Sequence, residues 1–144
     1  MQCDREQLVS KLRQDHEYLD ELMAQLRHLC LRGDGVENCT GCTVGQRTLC
    51  NSDIVLSIRT FVDVTLRHNL IESACMADHV PREHRVAHNR AHIAMAEQLE
   101  GIRQAFSESG NGVVAVAALA TLFDTLAAHV EEFDHPLEQY LLAA

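Results

Sequence analysis

Apolar residues recur in alternating steps of three and four along four stretches of the chain, which is the spacing of one buried face of an α-helix. The stretches cover about 4–31, 52–77, 81–107 and 113–142. Asp4, with Gln7 three residues later, is expected to cap the first helix. Mostly short connections separate the stretches, and no alternating strand pattern competes. We therefore predict an all-α fold, an antiparallel up-down-up-down four-helix bundle that forms one domain over residues 1–144.

One connection, at about 32–51, is much longer than the others and forms a Cys-containing insertion loop in this prediction. Together with the end of the first helix it carries the spacing C-x8-C-x2-C-x7-C, formed by Cys30, Cys39, Cys42 and Cys50. Three interpretations stay open: a four-cysteine zinc site, a redox-active thiol pair or reversible disulfide, and an iron–sulfur cluster. A glycine-rich loop with unrelated thiols is the fourth, since a single C-x2-C is common.

Charge and composition exclude several classes of protein. With 12 basic and 21 acidic residues the net charge is −9, which argues against nucleic acid as a partner. No apolar run approaches about 18 residues, so we expect no membrane span. The N-terminus lacks the pattern of a signal peptide, which favours a cytoplasmic location and argues against constitutive disulfides. One excess needs an explanation: nine histidines, beside two tyrosines and no tryptophan.

The histidines gain meaning from their positions, because several interrupt the apolar faces of the predicted helices. The metal-ligand residue types on those faces are His16, His68, Glu72, His88, His92, His129 and Asp134. A single such histidine is usually a hydrogen-bonded core residue, but seven polar groups converging from four helices need compensation for lost hydration. Metal ions supply it, and imidazole with carboxylate suits iron or manganese, and less uniquely zinc. Seven ligands are too many for one ion and fit two.

The fourth helix carries a separate signal of irregular geometry. His129 and Asp134 are five residues apart, so a regular helix would place them about 140° apart around its axis. The apolar pattern slips by one residue at the same place, from the register of Leu119, Leu122, Leu126 and His129 to that of Asp134, Leu137 and Leu141. One extra residue in a turn is a π-bulge, a feature common at functional sites. Pro136, which lacks an N–H, also favours a local break.

Taken together, these residues resemble the hemerythrin family and its bacterial HHE relatives across all four predicted helices. The matching text is His16, His68-x3-Glu72, His88-x3-His92 and His129-x4-Asp134. The resemblance implies two iron ions bridged by an oxo or hydroxo group and by Glu72 and Asp134. It also implies that His88, His92 and His129 hold one iron, and that His16 and His68 hold the other. The two-histidine iron has the open position, where the family binds O2.

Two details of the site are less direct. His84 and His88 form a competing i, i+4 pair, but we prefer His88 with His92 because these continue in step with the apolar face of the third helix. Leu126, one turn before His129, is expected to wall the O2 pocket. Further candidates, for which core packing is the simpler explanation, are Leu19, Phe61, Leu122 and Ile93. The histidines assigned to the surface or to the neighbourhood of the site are His28, His79, His84 and His135.

The leading functional hypothesis is a non-haem diiron protein that reversibly binds O2 for sensing, storage or delivery. Few carboxylates among many histidines favour binding over oxygen activation, since diiron oxygenases built in bundles use more glutamate. The first alternative is a diiron enzyme that reduces peroxide or nitric oxide, or donates iron for iron–sulfur repair. The second is a redox- or metal-responsive module that binds a protein partner through the Cys loop. The expected ligand is O2 or another small diatomic or peroxide molecule, and the oligomeric state is left open.

Overall fold

The structure is a computed structural model that describes residues 4–27, 39 and 41–143, without the side chains of residues 26, 27, 78 and 79. Its elements are α1 (Arg5–Arg27), α2 (Val44–His79), α3 (Arg82–Ser109), α4 (Gly112–His129), a π-helical turn (Val130–Asp134) and α5 (His135–Ala143). Because α5 continues α4 through the π-helical turn, these elements form four rods. The predicted all-α fold class is therefore confirmed in the described part of the chain.

The helix ends follow local capping chemistry. Asp4 Oδ1 accepts a hydrogen bond from the third backbone N–H after it, at 3.2 Å, which confirms the predicted cap of α1. At the other end of the bundle, Gly110 adopts φ +64°, and its N–H bonds to the Phe106 carbonyl oxygen at 2.8 Å to end α3. Asn111 follows at once and caps α4 through its side-chain oxygen. This sequence of caps reverses the chain within two residues.

Helix α2 begins eight residues earlier than the pattern predicted, at Val44. The predicted loop at 32–51 is therefore wrong over its last eight residues, and Cys50 lies on a helix. The cause is a cap that we missed: Thr43 Oγ1 accepts a hydrogen bond from the Gln46 backbone N–H at 3.1 Å. Thr-x-x-Gln is the spacing of a capping box. A glycine in the first turn, a poor helix former, concealed that signal.

Two groups of buried apolar residues make up the core. The large core cluster consists of Leu19, Leu22, Ile54, Ile58, Phe61, Val64, Met95, Leu99, Ile102, Phe106, Ala115, Leu119, Leu122 and Phe123. The small core cluster consists of Leu8, Val9, Leu12, Cys75, Met76, Val80, Leu137 and Leu141. On every rod, the predicted ligand residues lie between the residues of one cluster and those of the other. The core is thus two apolar parts with a polar layer between them.

The order of the two clusters along the chain alternates from rod to rod. On α1 and at the entry to α3 the small core cluster comes before the polar layer, and the large core cluster follows it. On α2 and on the α4–α5 rod the order is reversed. This alternation is the one expected when consecutive helices run in opposite directions, and α1 packs against α2, α2 against α3 and α3 against α4.

The last rod is unusually apolar. Among the described residues, the stretch Gly112–Ala143 is long and apolar enough, by length and composition alone, to cross a membrane. The exclusion of a membrane therefore stays a prediction. In this structure the same rod supplies buried Leu119, His129 and Asp134 to the bundle core.

Candidate metal centre

The polar layer contains all seven residues that the apolar pattern singled out. Six of them are buried: His68, Glu72, His88, His92, His129 and Asp134. The seventh, His16, is only partly buried. The helical register explains the convergence, because each residue interrupts an apolar face at the level where the two core clusters meet. The structure therefore brings the seven side chains together.

The seven side chains divide into two groups of possible metal ligands. The five-residue group contains Glu72, His88, His92, His129 and Asp134, and the three-residue group contains His16, His68 and Asp134. Within each group the ligand atoms all lie within 4.8 Å of one another. Asp134 belongs to both groups, and Glu72 Oε1 is also 2.7 Å from His68 Nε2. Two adjacent positions that share carboxylates are the arrangement expected for a pair of metal ions.

The π-helical turn makes this arrangement possible on the last rod, and the predicted π-bulge is confirmed. Its closing hydrogen bond runs from the His135 N–H to the Val130 carbonyl oxygen, five residues back. The extra residue rotates the following turn, so that His129 and Asp134 both point into the core. His129 Nε2 then lies 3.0 Å from Asp134 Oδ1. A regular helix would have sent one of the two to the surface.

The polar contacts of this layer fit metal binding better than hydrogen bonding. Both carboxylate oxygens of Glu72 are buried without a hydrogen-bond partner, although His68 Nε2 is 2.7 Å from one of them. His88 Nε2 and His129 Nε2 face each other at 3.2 Å, so at most one of the two rings can donate a proton along that line. Carboxylate oxygens and imidazole nitrogens that approach one another closely, but are not aligned for hydrogen bonds, are typical of ligands around a shared cation. The residues present therefore fit metal ions.

The charges of the metal-free layer compensate one another. Burial alone would lower the pKa of His68, but close contacts with the carboxylates of Asp134, Asp15 and Glu72 raise it to about 11. Burial alone would raise the pKa of Asp134, but close contacts with the surrounding histidines hold it far below its usual value. His92 differs, because burial lowers its pKa in spite of Glu72. His68 is therefore protonated at neutral pH in the metal-free chain, and a metal ion must displace that proton.

Asp15 contributes to this layer, although the sequence analysis did not identify it. Its Oδ2 accepts a hydrogen bond from His68 Nδ1 at 3.2 Å, and its Oδ1 pairs with Lys11 at 3.3 Å. A carboxylate behind a ligating histidine fixes the ring and leaves the other ring nitrogen, here Nε2, for the metal. Asp15 was missed because it lies off the apolar face of α1. Its position directly before His16 was the available signal.

We expect Asp15→Ala to weaken metal binding about 10- to 100-fold, because His68 loses the group that orients it. Asp15→Asn, which keeps an acceptor oxygen, should lose less. Titration of the metal-free proteins with cobalt(II), followed by absorption, measures the effect. Lys11→Ala is the matched control, since it removes the other partner of Asp15 but leaves the bond to His68. Equal affinities of Asp15→Ala and the unaltered protein would contradict the orienting role.

His84, one of the histidines assigned to the surface or to the neighbourhood of the site, lies beside a predicted ligand. Its Nε2 lies 3.1 Å from His88 Nδ1, so the two rings share a hydrogen bond. Phe133, on the π-helical turn, stacks on the His88 ring at a centroid distance of 5.3 Å. His84 stands outside both ligand groups, whereas His92 is inside the larger one. The i, i+4 spacing of His84 and His88 was thus a true signal, but of a residue that supports a ligand.

His92→Ala should lower metal content. His84→Ala should keep a metal content near that of the unaltered protein, and it should weaken metal affinity less than His92→Ala does. The physical reason is that His92 offers Nε2 to the five-residue group, while His84 only supports His88. Metal analysis of both variants after identical loading distinguishes them. Full metal content in His92→Ala, with loss in His84→Ala, would reverse the assignment.

A cavity of about 310 Å³ opens from the surface to the three-residue group. His16, Leu19 and Leu126 line it, together with residues of the π-helical turn and its neighbours. Leu126, which was expected to wall the O2 pocket, is one of the residues that line this cavity. Among the further candidates, Phe61 and Leu122 belong to the large core cluster. Ile93 was wrong, because 59% of it is exposed on the outer face of α3.

The remaining assignments concern histidines and cysteines away from the layer. His135 is a surface residue paired with Glu131 at 3.4 Å. Cys75 is buried in the small core cluster and is disulfide-bonded, so the expectation against disulfides fails for this residue. Cys39, Cys42 and Cys50 are described and partly buried. The assignments of Cys30, His28 and the His79 side chain lie outside the described part of the chain.

Fold and site together define a metal-binding four-helix-bundle protein with a buried histidine–carboxylate layer. The sequence model of the hemerythrin HHE cation binding domain matches residues 7–141, and the chain belongs to this family. Comparison with curated proteins and with solved structures finds no match. The match spans all four rods and every residue of the polar layer.

Proposed function

We propose that this protein is a non-haem diiron protein that reversibly binds O2 in the bundle core, for oxygen sensing, storage or delivery. The observation that carries the proposal is the unequal surroundings of the two ligand groups. The three-residue group meets the cavity at His16, whereas the five-residue group is buried. The position with fewer protein ligands is thus the one that a small molecule can reach. Iron at both positions would supply the two electrons that O2 takes up on binding.

The walls of the cavity suit a small apolar ligand. Leu19, Phe123 and Leu126 line its inner part, and exposed Asp20 and Glu131 lie at its rim. An apolar wall admits O2 and limits the water that would promote loss of the bound molecule. His16, which is partly buried, lies beside this space, so a small molecule in the cavity would meet a member of the three-residue group.

The number of carboxylates supports binding over oxygen activation. The two ligand groups contain two carboxylates, Glu72 and Asp134. Glu138, one turn after Asp134, is also buried, but it faces Arg13 at 3.5 Å and belongs to neither group. Bundle proteins that activate oxygen use more glutamate ligands than this. The diiron enzyme is therefore the alternative, and reversible binding is the proposal.

An absorption spectrum tests the proposed function directly. Metal-free protein is loaded with iron(II) without oxygen, exposed to air and then returned to an oxygen-free atmosphere. Reversible binding should produce a charge-transfer band that disappears when O2 is removed. Irreversible oxidation, with steady turnover of added peroxide or nitric oxide, would instead support the enzyme. A chain that takes up no iron under these conditions would exclude both.

Leu126→Trp should slow O2 association, on the order of tenfold, because the larger side chain fills the cavity beside His16. Metal content should not change, since Leu126 lies outside the ligand groups. Flash photolysis or rapid mixing of the reduced, iron-loaded variant measures the rate. Leu142→Trp, on the exposed face of α5, is the matched control. An unchanged association rate in Leu126→Trp would show that the ligand enters elsewhere.

A further inference from the structure

The Cys-x2-Cys segment before α2 is not part of the metal layer, and its geometry selects one of the interpretations of its cysteines. We propose that Cys39 and Cys42 are a redox-active thiol pair that undergoes thiol–disulfide exchange with small-molecule disulfides. The proposal is independent of the diiron function, since neither cysteine belongs to the ligand groups of the metal centre.

The backbone already holds the two cysteines in a conformation that a disulfide can join. The Cys42 N–H donates to the Cys39 carbonyl oxygen at 3.0 Å, which closes a four-residue turn. The first and last Cα atoms of such a turn lie within about 7 Å, and disulfides join Cα atoms about 4.4–6.8 Å apart. The Arg47 guanidinium donates to the same carbonyl oxygen at 2.7 Å. The first turn of α2 therefore fixes the segment.

Cys50, the third described cysteine near this segment, lies on α2. Its Sγ accepts a hydrogen bond from Gln46 Nε2 at 3.8 Å. Among the described residues, the groups of three or more possible metal ligands include no cysteine. A dithiol at Cys39 and Cys42 needs no third sulfur.

The pair lies against the part of the bundle where α4 begins. Cys39 Sγ is 3.7 Å from the point that a Cβ atom on Gly112 would occupy, and Ile54 of the large core cluster meets the same point at 3.0 Å. A bond from Cys39 to Cys42 would fix a sulfur atom that packs on the first residue of α4. The Cys39 sulfur thus lies beside the first residue of α4.

The exchange balances without any reactant beyond the external disulfide. One thiolate of the pair attacks a sulfur of the external disulfide, forming a mixed disulfide and releasing one small thiol. The second thiolate then attacks the mixed disulfide, closing the Cys39–Cys42 bond and releasing the second small thiol. The pair is oxidised by two electrons, the external disulfide is reduced by two, and the two protons leave on the released thiols.

The chain offers a sharp test, because residues 33–47 form one tryptic peptide that contains Cys39 and Cys42 and no other cysteine. The full-length protein, with and without iron, is equilibrated in oxidised and reduced glutathione, alkylated and digested. We expect this peptide to be two hydrogen atoms lighter and protected from alkylation. The mixed glutathione adduct should amount to less than about a tenth of it, because the second thiol is held close to the first. Cys39→Ser should convert the product to the glutathione adduct on Cys42.

The control variant is Cys50→Ser, which should leave the internal disulfide unchanged. The proposal is overturned if the peptide stays reduced, if it is crosslinked to another cysteine peptide, or if only the glutathione adduct forms in the unaltered protein. A cobalt(II)–thiolate absorption band that Cys50→Ser and Cys39→Ser both abolish would also overturn it, by assigning these cysteines to a metal site. Each of these results is read on one peptide and does not depend on O2 binding. The thiol-pair proposal can therefore fail while the O2-binding proposal succeeds, and O2 binding can fail while the thiol pair is confirmed.

Discussion

Asp134→Ala should lose both metal ions, whereas His16→Ala should lose mainly the ion at the three-residue group. Asp134 is the residue common to the two ligand groups, and its carboxylate lies within 3.0 Å of ring nitrogens on three helices. Removing it deprives each ion of a shared ligand and leaves the surrounding histidines without the charge that offsets them. Metal analysis after anaerobic loading measures the number of ions per chain.

Glu131→Ala is the matched control for this prediction. Glu131 lies on the same π-helical turn, but its side chain is 77% exposed and stands outside both groups. The Glu131→Ala protein should bind as much metal as the unaltered protein. Circular dichroism should show that Glu131→Ala and Asp134→Ala both remain helical. Asp134→Asn, which keeps one ligand oxygen, is expected between the two extremes. Two ions per chain in Asp134→Ala would show that the carboxylate is not shared.

Metal binding should raise the melting temperature by about 10 °C. At a free metal concentration about 1,000 times the dissociation constant, the stabilisation is about 4 kcal/mol. For a chain of this size each kcal/mol corresponds to roughly 2–4 °C. Thermal unfolding of the same preparation before and after chelation measures the shift. A chelated protein that unfolds at the same temperature as the loaded one would contradict the role of metal in compensating the buried layer.

Metal affinity should also rise with pH, by about tenfold per pH unit for each proton that the metal displaces. His68 supplies such a proton between pH 6 and 8, because its pKa in the metal-free chain is raised to about 11. Cobalt(II) titrations at pH 6, 7 and 8 measure the slope. In His68→Gln the slope should fall by about one proton. A slope that is the same in both proteins would assign the displaced proton to another group.

The same pKa shift fixes the sign of the pH dependence of folding in the metal-free chain. A histidine whose pKa is raised on folding contributes its full stability below its ordinary pKa of 6.5, and this contribution is lost as the pH rises towards about 11. The lowered pKa values of Glu72 and Asp134 act in the opposite direction, because their contribution is lost as the pH falls. Metal-free protein should therefore be most stable between the ordinary pKa values of the two carboxyl groups, 4.5 for Glu72 and 3.8 for Asp134, and the ordinary pKa of His68, 6.5. Bound metal should extend this range towards higher pH.

The sequence by itself determined the four rods, the seven residues of the polar layer and the irregular turn before Asp134. These features depend on the local sequence, because the period of apolar residues defines which side of a helix is buried. A polar residue on that side can therefore be recognised from the amino-acid sequence. The slip between His129 and Asp134 could be found in the same way, since a π-bulge shifts the register of everything after it. The start of α2 was equally local, and Thr43 was a cap that we overlooked.

Only the tertiary structure decided which side chains support the layer and how it divides. Asp15 and His84 lie off the apolar faces, so their contacts with His68 and His88 depend on how neighbouring turns and helices meet. The period of one helix carries no information about such contacts. The same is true of the cavity beside His16, which is the space left between rods after their side chains have packed. The sequence of each helix determines which of its side chains are buried. The cavity that makes one ligand group more accessible than the other depends on how neighbouring helices pack.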